Sequence, residues 1–316
     1  MYRTGHIPDH KEVVARRVAL HHSASFAAIM ALAASLPMET TNRASMPPEK
    51  GGPGILDQHD TGSCEGHAHA SGGTLVLACQ GTSPGLISPA QLYLGALRFD
   101  AQLQPDGTLS AVTDTGTMPS SINSAWQTFG AQLAKDDPQY PCSSATMYAT
   151  PSDPNSVLIL PPPERLYADS PFRFKGQYFI TAGSGSPARL LQALSVLASK
   201  RVITDAIPAS GNDFQGYRGG VLGALSGEID HANLIVDYKW TGSAADWLTF
   251  VTALGQNNSS QVSALAGNLL FICVNSWSVT WGEGDEVSTM PGGMYRANIH
   301  YLDQSEDLSV LDLEAA

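Results

Sequence analysis

Apolar positions in the first half of this chain recur at the spacing of helices. Periodic runs and end signals predict helices from Ser63 to Gln80, from Ser88 to Leu94 and from Met118 to Phe129. Ser88 stands directly before a proline, which is the order of an N-cap and a first helical residue. Gly130 supplies a residue type that ends helices. The sequence therefore predicts a mostly helical region here.

The pattern changes from Phe172 onward to short runs typical of strands. These runs cover residues 178–180, 202–204, 233–236 and 269–274, with one helical pattern near residues 188–197. A proline-rich stretch, residues 151–170, lies between the two patterns and predicts a crossing between two lobes. Helices followed by strands indicate an α+β fold class. For residues 237–263 and 284–293 we expect loops or local elaborations.

Composition limits the classes of function without selecting one. The chain has 316 residues, of which 43% are hydrophobic and 15% charged, so it can bury a large core and should be globular. Its formal net charge is −12, and it has no run of lysine and arginine. Phosphate binding needs a basic surface, so nucleic acid is excluded as an expected partner. The acidity favours solubility.

The apolar stretch from Ser25 to Leu36 raises the question of a targeting signal, because basic residues precede it. It starts late, lacks a clear cleavage site before Pro37, and is too short to span a bilayer. A packed helix is the favoured interpretation, and a targeting signal is the alternative.

Three local phrases carry candidate chemistry. Gln58 lies six residues before Cys64, and this thiol opens the first predicted helix, where the helix N-terminus would make it more acidic. His231 stands at the start of an apolar strand-like run, and Asn275 ends another, two residues before Trp277. These residue types suggest a cysteine nucleophile, its base, an orienting amide and an oxyanion donor.

At these positions the chain resembles the papain-like (C1) cysteine peptidases. The family motifs Q-x-x-x-G-S-C, D/G-H-A and N-S-W-x-x-x-W-G occur in the family's order, beginning at Gln58, Asp230 and Asn275. Short stretches at residues 5–10 and 46–48 also resemble openings of bacterial and viral members without a long propeptide.

The resemblance implies a papain-like two-lobed fold, with a helical left lobe, an antiparallel sheet or barrel as right lobe, and the active-site cleft between them. The catalytic domain would cover residues 51–316, with the helical lobe at about 51–160 and the β lobe at about 165–316. Residues 1–50 would form an N-terminal extension, either a packed part of the fold or a short inhibitory segment whose deletion raises activity.

The resemblance also assigns roles. Cys64 would attack as a thiolate, His231 would act as acid and base, Asn275 would orient the imidazole, and Gln58 with the Cys64 backbone N–H would hold the oxyanion. Substrate-binding positions would be Gly62, Ser63, Gly116, Trp277 and Asp230. No cofactor is implied.

A metal site is disfavoured. His67 and His69 lie two apart on the predicted helix and point different ways, so they are poorly placed to join His59 and Cys64 as ligands. We interpret both as helix residues.

Several departures from the family pattern bear on activity and location. Glu65 replaces the aromatic that commonly follows the nucleophile, and a carboxylate there would raise the thiol pKa unless it points to solvent. Asp237 replaces the glycine of Val-Gly-Tyr. Secreted members usually carry a cysteine at the position of Thr61, and the four cysteines here give no dense disulfide framework. A reducing compartment is expected, cytoplasmic or virion-associated, with secretion as an open alternative.

Two functions remain. The favoured one is an active thiol protease, an endopeptidase acting on a peptide or protein substrate with no membrane partner. The alternative is a catalytically idle papain-like domain that serves as a structural or binding component of a larger assembly, such as a virion or a secretion machine.

Overall fold

The computed structural model describes residues 7, 35–46, 55–82, 85–101, 104–105, 109–153, 155–162, 172–282 and 292–315. Most of the predicted Ser25 to Leu36 helix, most of residues 5–10 and most of residues 284–293 lie outside this part of the chain.

Each helix that the apolar spacing predicts is present, and further helices lie between residues 144 and 304. Their bounds are α1 Cys64–Cys79, α2 Pro89–Asp100, α3 Pro119–Phe129, α4 Ser144–Met147, α5 Pro187–Ala198, α6 Asn212–Gln215, α7 Ala244–Gly255, α8 Ser259–Leu265 and α9 Ile299–Gln304. The Ser88 hydroxyl accepts a hydrogen bond from the Gln91 N–H and so caps α2. Gly130 follows α3 with a φ of 74°, a conformation that favours glycine.

The described strands form one seven-stranded sheet in the order β1-β7-β2-β4-β5-β6-β3. Their bounds are β1 Phe172–Phe179, β2 Ile203–Ile207, β3 Val221–Leu222, β4 His231–Trp240, β5 Leu269–Val274, β6 Met294–Ala297 and β7 Glu306–Ala315. Neighbours pair antiparallel except the short β3, which runs parallel to β6. The predicted α+β class is confirmed, with helices first and a mostly antiparallel sheet after them.

Helix α1 lies at the centre of the molecule. Every residue from Cys64 to Leu77 is buried, because α2 and α3 cover one side and strands β4 and β7 the other. Close approach depends on glycines. A Cβ on Gly66 would lie 2.6 Å from the Pro89 carbonyl oxygen, and one on Gly73 would lie 2.6 Å from the Trp126 ring. Small residues thus let α1 contact its neighbours directly.

Residues 36–43 pack against the second half of β4. Backbone hydrogen bonds join Thr40 to Tyr238 at 3.0 Å and Trp240 to Met38 at 2.7 Å. The buried Asp237 carboxylate accepts hydrogen bonds from the Thr40 hydroxyl and from the backbone N–H groups of Asn42 and Arg43. Asp237, which departs from the family pattern, therefore anchors this N-terminal segment.

Of the two expectations for residues 237–263, loops or local elaborations, the structure shows an elaboration made of regular elements. Strand β4 continues to Trp240, and α7 and α8 follow it. The Ser243 hydroxyl caps α7 by accepting from the Asp246 N–H, and Trp247 and Phe250 are buried against the sheet. In the described part of the chain, no helix combines the length and hydropathy needed to cross a membrane.

Candidate active site

Cys64 is the first residue of α1, where unsatisfied backbone N–H groups and the helix dipole favour a negative charge. Its side chain is fully buried and packs with Ala68 of the same helix and with Ala232. Ala232 is the second residue of β4, directly after His231. The contact therefore brings the beginning of the helix to the beginning of the strand that carries the histidine.

His231 and Asn275 form a hydrogen-bonded pair. The His231 Nε2 atom lies 2.8 Å from the Asn275 Oδ1 atom. Strands β4 and β5 pair antiparallel, so the residue that opens β4 meets the residue that follows β5. The same Oδ1 atom accepts from the Ser276 N–H at 2.7 Å, which identifies it as the oxygen. His231 therefore carries a proton on Nε2, and Nδ1 is the nitrogen left for proton transfer.

Aromatic side chains cover this pair. The Trp277 ring lies 4.6 Å from the His231 ring, measured between centroids, and Phe214 lies 6.0 Å away. Trp281 contacts both Phe214 and Trp277. The sequence phrases identified Trp277, whereas Phe214 has no motif around it and was missed. Burial of the His231–Asn275 hydrogen bond strengthens it, because water cannot compete.

Gln58 is tied to the segment that carries Asn275. Its backbone N–H donates to the Ser276 carbonyl at 2.8 Å, and its Oε1 atom accepts from the Ser276 hydroxyl. Its Nε2 atom donates one hydrogen to the Thr61 carbonyl at 2.8 Å. These contacts fix the plane of the amide and direct Nε2 toward the loop that leads to Cys64.

Asp114 holds the loop before Cys64 in place, and sequence reasoning missed it. The Gly62 N–H donates to both carboxylate oxygens, at 2.9 and 3.0 Å. The hydroxyls of Tyr93 and Tyr148 donate to the same carboxylate at 2.5 and 2.6 Å. The Gly116 N–H donates to the Tyr93 oxygen at 3.2 Å. One carboxylate thus links the nucleophile loop, α2 and the Gly116 segment.

Glu65 does not point to solvent. Its side chain is buried, and its Oε2 atom lies 3.2 Å from the His69 Nδ1 atom, one turn along α1. The His69 Nε2 atom lies 3.1 Å from the Gln177 Nε2 atom of β1. The condition under which Glu65 was expected to be harmless is not met, and a polar network in the interior holds the carboxylate instead.

The other predicted binding residues have structural partners. Gly116 has a φ of 90°, and the following Thr117 carbonyl accepts a hydrogen bond from the Ile7 N–H at 3.0 Å. The Ser63 hydroxyl contacts the Thr61 hydroxyl at 2.8 Å. The Asp230 carboxylate accepts from the backbone N–H of Ala209 at 2.7 Å. Asp230 thus holds the turn after β2, beside His231.

The remaining cysteines are poor nucleophiles. Burial raises the pKa of Cys79 and raises the pKa values of Cys142 and Cys273 well above their usual range. All four cysteines are free thiols. Among the residues that the structure describes, no group of three or more histidine, cysteine, aspartate or glutamate side chains could hold a metal ion.

Solved structures of cysteine proteases resemble this chain throughout. Xylellain, a cysteine protease from Xylella fastidiosa, superposes with a TM-score of 0.60 and 17% identity over 98% of this chain and 95% of its own. A recombinant stem bromelain precursor gives 0.56 and 14% over 97% of this chain and 76% of its own. The Carica candamarcensis protease CMS1MS2, solved with E-64, gives 0.52 and 16% over 87% and 97%. No family model and no curated protein matches the sequence. The chain has the papain-like cysteine protease fold.

Proposed function

We propose that this chain is a papain-like cysteine peptidase that hydrolyses peptide bonds through an acyl-enzyme on Cys64. The observation that carries the proposal is the 2.8 Å contact between His231 Nε2 and Asn275 Oδ1, next to a helix that begins with Cys64. The contact leaves Nδ1 to exchange a proton with the thiol. The helix N-terminus stabilises the thiolate that results.

In the first half of the reaction, the Cys64 thiolate attacks the substrate carbonyl carbon and forms a tetrahedral intermediate. The Cys64 backbone N–H and the second hydrogen of the Gln58 amide stabilise the negative oxygen. His231 then protonates the leaving amine, the C–N bond breaks, and the acyl group remains on sulfur as a thioester. Asn275 holds the imidazole plane through these proton transfers.

In the second half, a water molecule attacks the thioester and His231 takes its proton. The acid product leaves, and the thiolate and imidazolium are restored. The substrate is a peptide or protein in an extended conformation, paired with the backbone at Gly116 and with Trp277 on the leaving-group side. The reaction needs a reduced Cys64 thiol, so we assign the protein to a reducing compartment.

The second candidate is an idle papain-like domain that acts as a component of an assembly. The observation in its favour is that the site is closed to solvent: Cys64, His231 and Gln58 each have a relative exposure of 0%. A substrate reaches these side chains only if the groups that cover them move.

Alkylation of Cys64 separates the two candidates. Iodoacetamide labelling is followed by peptide mass spectrometry from pH 4 to 9, in the wild type and in His231→Ala. An active peptidase labels Cys64 fast well below pH 8, in a manner that depends on His231, and Cys64→Ala abolishes peptide turnover. Cys79, Cys142 and Cys273 serve as internal controls, because burial raises their pKa values. Labelling of Cys64 no faster than that of these three would reject the peptidase.

A further inference from the structure

A buried acid and a buried base lie side by side on α1, directly after Cys64. Glu65 is 2% exposed and His69 is 1% exposed. The Glu65 Oε2 atom lies 3.2 Å from the His69 Nδ1 atom, and the same nitrogen lies 2.9 Å from the Glu65 carbonyl oxygen. A carbonyl oxygen only accepts hydrogen bonds, so Nδ1 carries a hydrogen. The proposed mechanism uses neither side chain, although Glu65 adjoins the nucleophile.

The contacts of His69 Nε2 join this pair to the sheet. Nε2 lies 3.1 Å from the amide nitrogen of Gln177 in β1. The same amide contacts the Ser309 hydroxyl of β7, which in turn contacts the Thr204 hydroxyl of β2. All three side chains are buried and uncharged. They hold the imidazole in place but supply no charge to balance a Glu65 carboxylate.

Two arrangements of protons satisfy these contacts. In the first, Glu65 is a neutral acid and the imidazole is neutral, with Nε2 accepting from the Gln177 NH₂ group. In the second, Glu65 is a carboxylate and the imidazole is a cation, with Nε2 donating to the Gln177 oxygen after the amide turns over. The Thr204–Ser309 hydroxyl pair can point either way and fits both. In each arrangement the acid and the base together have no net charge, and net charge is the property that a coupled pair defines.

A third arrangement would leave a net negative charge in the interior. A carboxylate beside a neutral imidazole is balanced only by hydrogen bonds, and burial strongly disfavours it. The N–H groups at the start of α1 favour negative charge, but the Glu65 Oε2 atom lies beside His69, one turn further along. The carboxylate would also follow the Cys64 thiolate directly, and neighbouring negative charges oppose each other. The arrangements without net charge are therefore favoured.

Other titratable groups reach this part of the chain from α1 itself and from neighbouring elements; they are His67, Tyr93, Asp114 and His231. Burial chiefly raises the pKa of Tyr93 well above its usual range and lowers the pKa of His67 to about 4, so both are neutral at pH 7. Asp114 adds a further negative charge, and the catalytic imidazolium pairs with the thiolate. In the described part of the chain, the balance for Glu65 therefore comes from His69.

We propose that Glu65 and His69 carry no net charge between them at neutral pH, and that His69 acts through Glu65 to keep the Cys64 thiol acidic. His69 is thus a positioning residue, and Gln177 holds its ring. The pair explains how a carboxyl group can directly follow the nucleophile without opposing the thiolate. The role in thiol acidity rests on the proposed function, whereas the charge state of the pair does not.

The charge state is tested by NMR of the reduced full chain, labelled with ¹⁵N in histidine and with ¹³C in the glutamate carboxyl group. His69→Gln and Glu65→Gln assign the two sets of signals. At pH 7 we expect either a neutral acid beside a neutral imidazole, or a carboxylate beside an imidazolium. A carboxylate beside a neutral imidazole, or a neutral acid beside an imidazolium, would overturn the proposal whatever the activity of the protein.

The role in thiol acidity is tested by the pH profile of Cys64 alkylation with iodoacetamide. In His69→Gln the carboxyl group loses its partner, and we expect the midpoint to rise by about one pH unit, with labelling at pH 6.5 about tenfold slower. Glu65→Gln should keep the wild-type profile within about twofold, because His69 can then stay neutral. The double variant Glu65→Gln/His69→Gln should restore the wild-type profile, since neither charge remains.

Thermal melting of each variant separates acidity from lost packing. Leu75→Ala, a buried apolar change on the same helix, controls for lost stability alone. A wild-type profile in His69→Gln would overturn the role of His69, and so would equal slowing in the single and double variants, which marks a structural effect. If wild-type Cys64 labels no faster than the other three cysteines, the proposed function fails, and the NMR result still decides the charge state of the pair.

Discussion

The two halves of the candidate site are held in place by different means. His231 and Asn275 stand at the ends of β4 and β5, which pair from Leu234–Val274 to Trp240–Leu269 with one irregularity between Ile235 and Asp237. The approach to Cys64 is a loop, and the described contacts of Gly62 and Gln58 include a few hydrogen bonds to Asp114, Thr61 and Ser276. In the sheet, many backbone hydrogen bonds share the task of holding the two strands together. In the loop, a few hydrogen bonds hold the chain.

Because of this difference, we expect substitutions in the two halves to affect different properties, stability in the sheet half and catalysis in the loop half. A substitution in the sheet half should weaken the fold before it moves His231 relative to Asn275. A substitution in the loop half should move Gln58 and Cys64 directly. In the proposed peptidase, a displacement of about 1 Å would cost about a hundredfold in rate. The chain offers a matched pair of aspartates for this comparison, Asp114 under the loop and Asp205 in β2, since each accepts hydrogen bonds from tyrosine hydroxyls.

The largest effect is expected for Asp114→Ala. The substitution leaves the Gly62 N–H and the hydroxyls of Tyr93 and Tyr148 without their acceptor, so the nucleophile loop loses its link to α2. We expect kcat/KM for a peptide substrate to fall roughly a hundredfold and the alkylation of Cys64 to slow. Asp114→Asn, which keeps one carbonyl oxygen, should retain more activity.

The control is Asp205→Ala. It removes the acceptor of the Tyr301 and Ser305 hydroxyls, so the free energy of unfolding should fall by about 1–3 kcal/mol. Below its lowered melting temperature the variant should alkylate at the wild-type rate, because the β4–β5 pairing is kept. Equal losses of reactivity in both variants would remove the distinction between the two halves.

His67 lies on the first turn of α1, and its ionisation predicts a pH dependence of stability. Burial lowers its pKa from 6.5 to about 4 in the folded chain. The unfolded chain therefore binds a proton below about pH 6.5 that the folded chain refuses until about pH 4, and stability falls as the pH drops through this window. The loss attributable to His67 amounts to about 3 kcal/mol once the pH is below 4.

Urea unfolding of the wild type and of His67→Gln between pH 7 and 4 measures this loss as a difference. The glutamine cannot be protonated, so the difference in unfolding free energy should change in favour of the variant as the pH falls. The exposed His300→Gln controls for removal of one histidine. Parallel pH profiles for wild type and His67→Gln would contradict the assignment.

The sequence predicted the residues whose partners are local or whose phrases are characteristic. The helix of Cys64, the cap at Ser88 and the end at Gly130 follow from neighbours a few positions away. Cys64, His231 and Asn275 were identified as candidates from the order of their motifs, and the structure brings His231 and Asn275 together across 44 positions. The fold class could be predicted because helix and strand patterns also depend on neighbours a few positions away.

Asp114 could not be predicted, because its partners lie 21, 34 and 52 positions away and a lone aspartate two residues before a glycine is an ordinary turn residue. The inward position of Glu65 was not predicted either. Its partner His69 lies one turn along α1, and His69 in turn contacts Gln177 across 108 positions. Helix α7 differs from these cases, because its signals are local: its N-cap Ser243 directly precedes it, and its buried aromatic residues lie in the helix itself. The sequence was interpreted there as a loop or a local elaboration, because residues 237–263 depart from a minimal papain-like core.

The smallest effect is expected for alanine substitutions at Gly66 and Gly72, two glycines that lie on different sides of α1. A Cβ on Gly66 would approach the backbone carbonyl of Pro89 to 2.6 Å, whereas one on Gly72 would meet methyl groups of Leu234 and Leu311 at 3.1 and 3.2 Å. Backbone cannot yield as leucine side chains can. Gly66→Ala should therefore lose about 1–3 kcal/mol, measured by urea unfolding.

Gly72→Ala should be close to neutral, because the gain in helix propensity, about 1 kcal/mol, offsets a slight displacement of the leucines. Gly66 also lies two residues from Cys64, so its variant should slow the alkylation of the thiol, and the Gly72 variant should not. If Gly72→Ala were the more damaging of the two, the sheet side of α1 would be the more rigid side. The difference between the loop half and the sheet half would then have to be explained by the packing of α1 and not by the hydrogen bonds of Asp114.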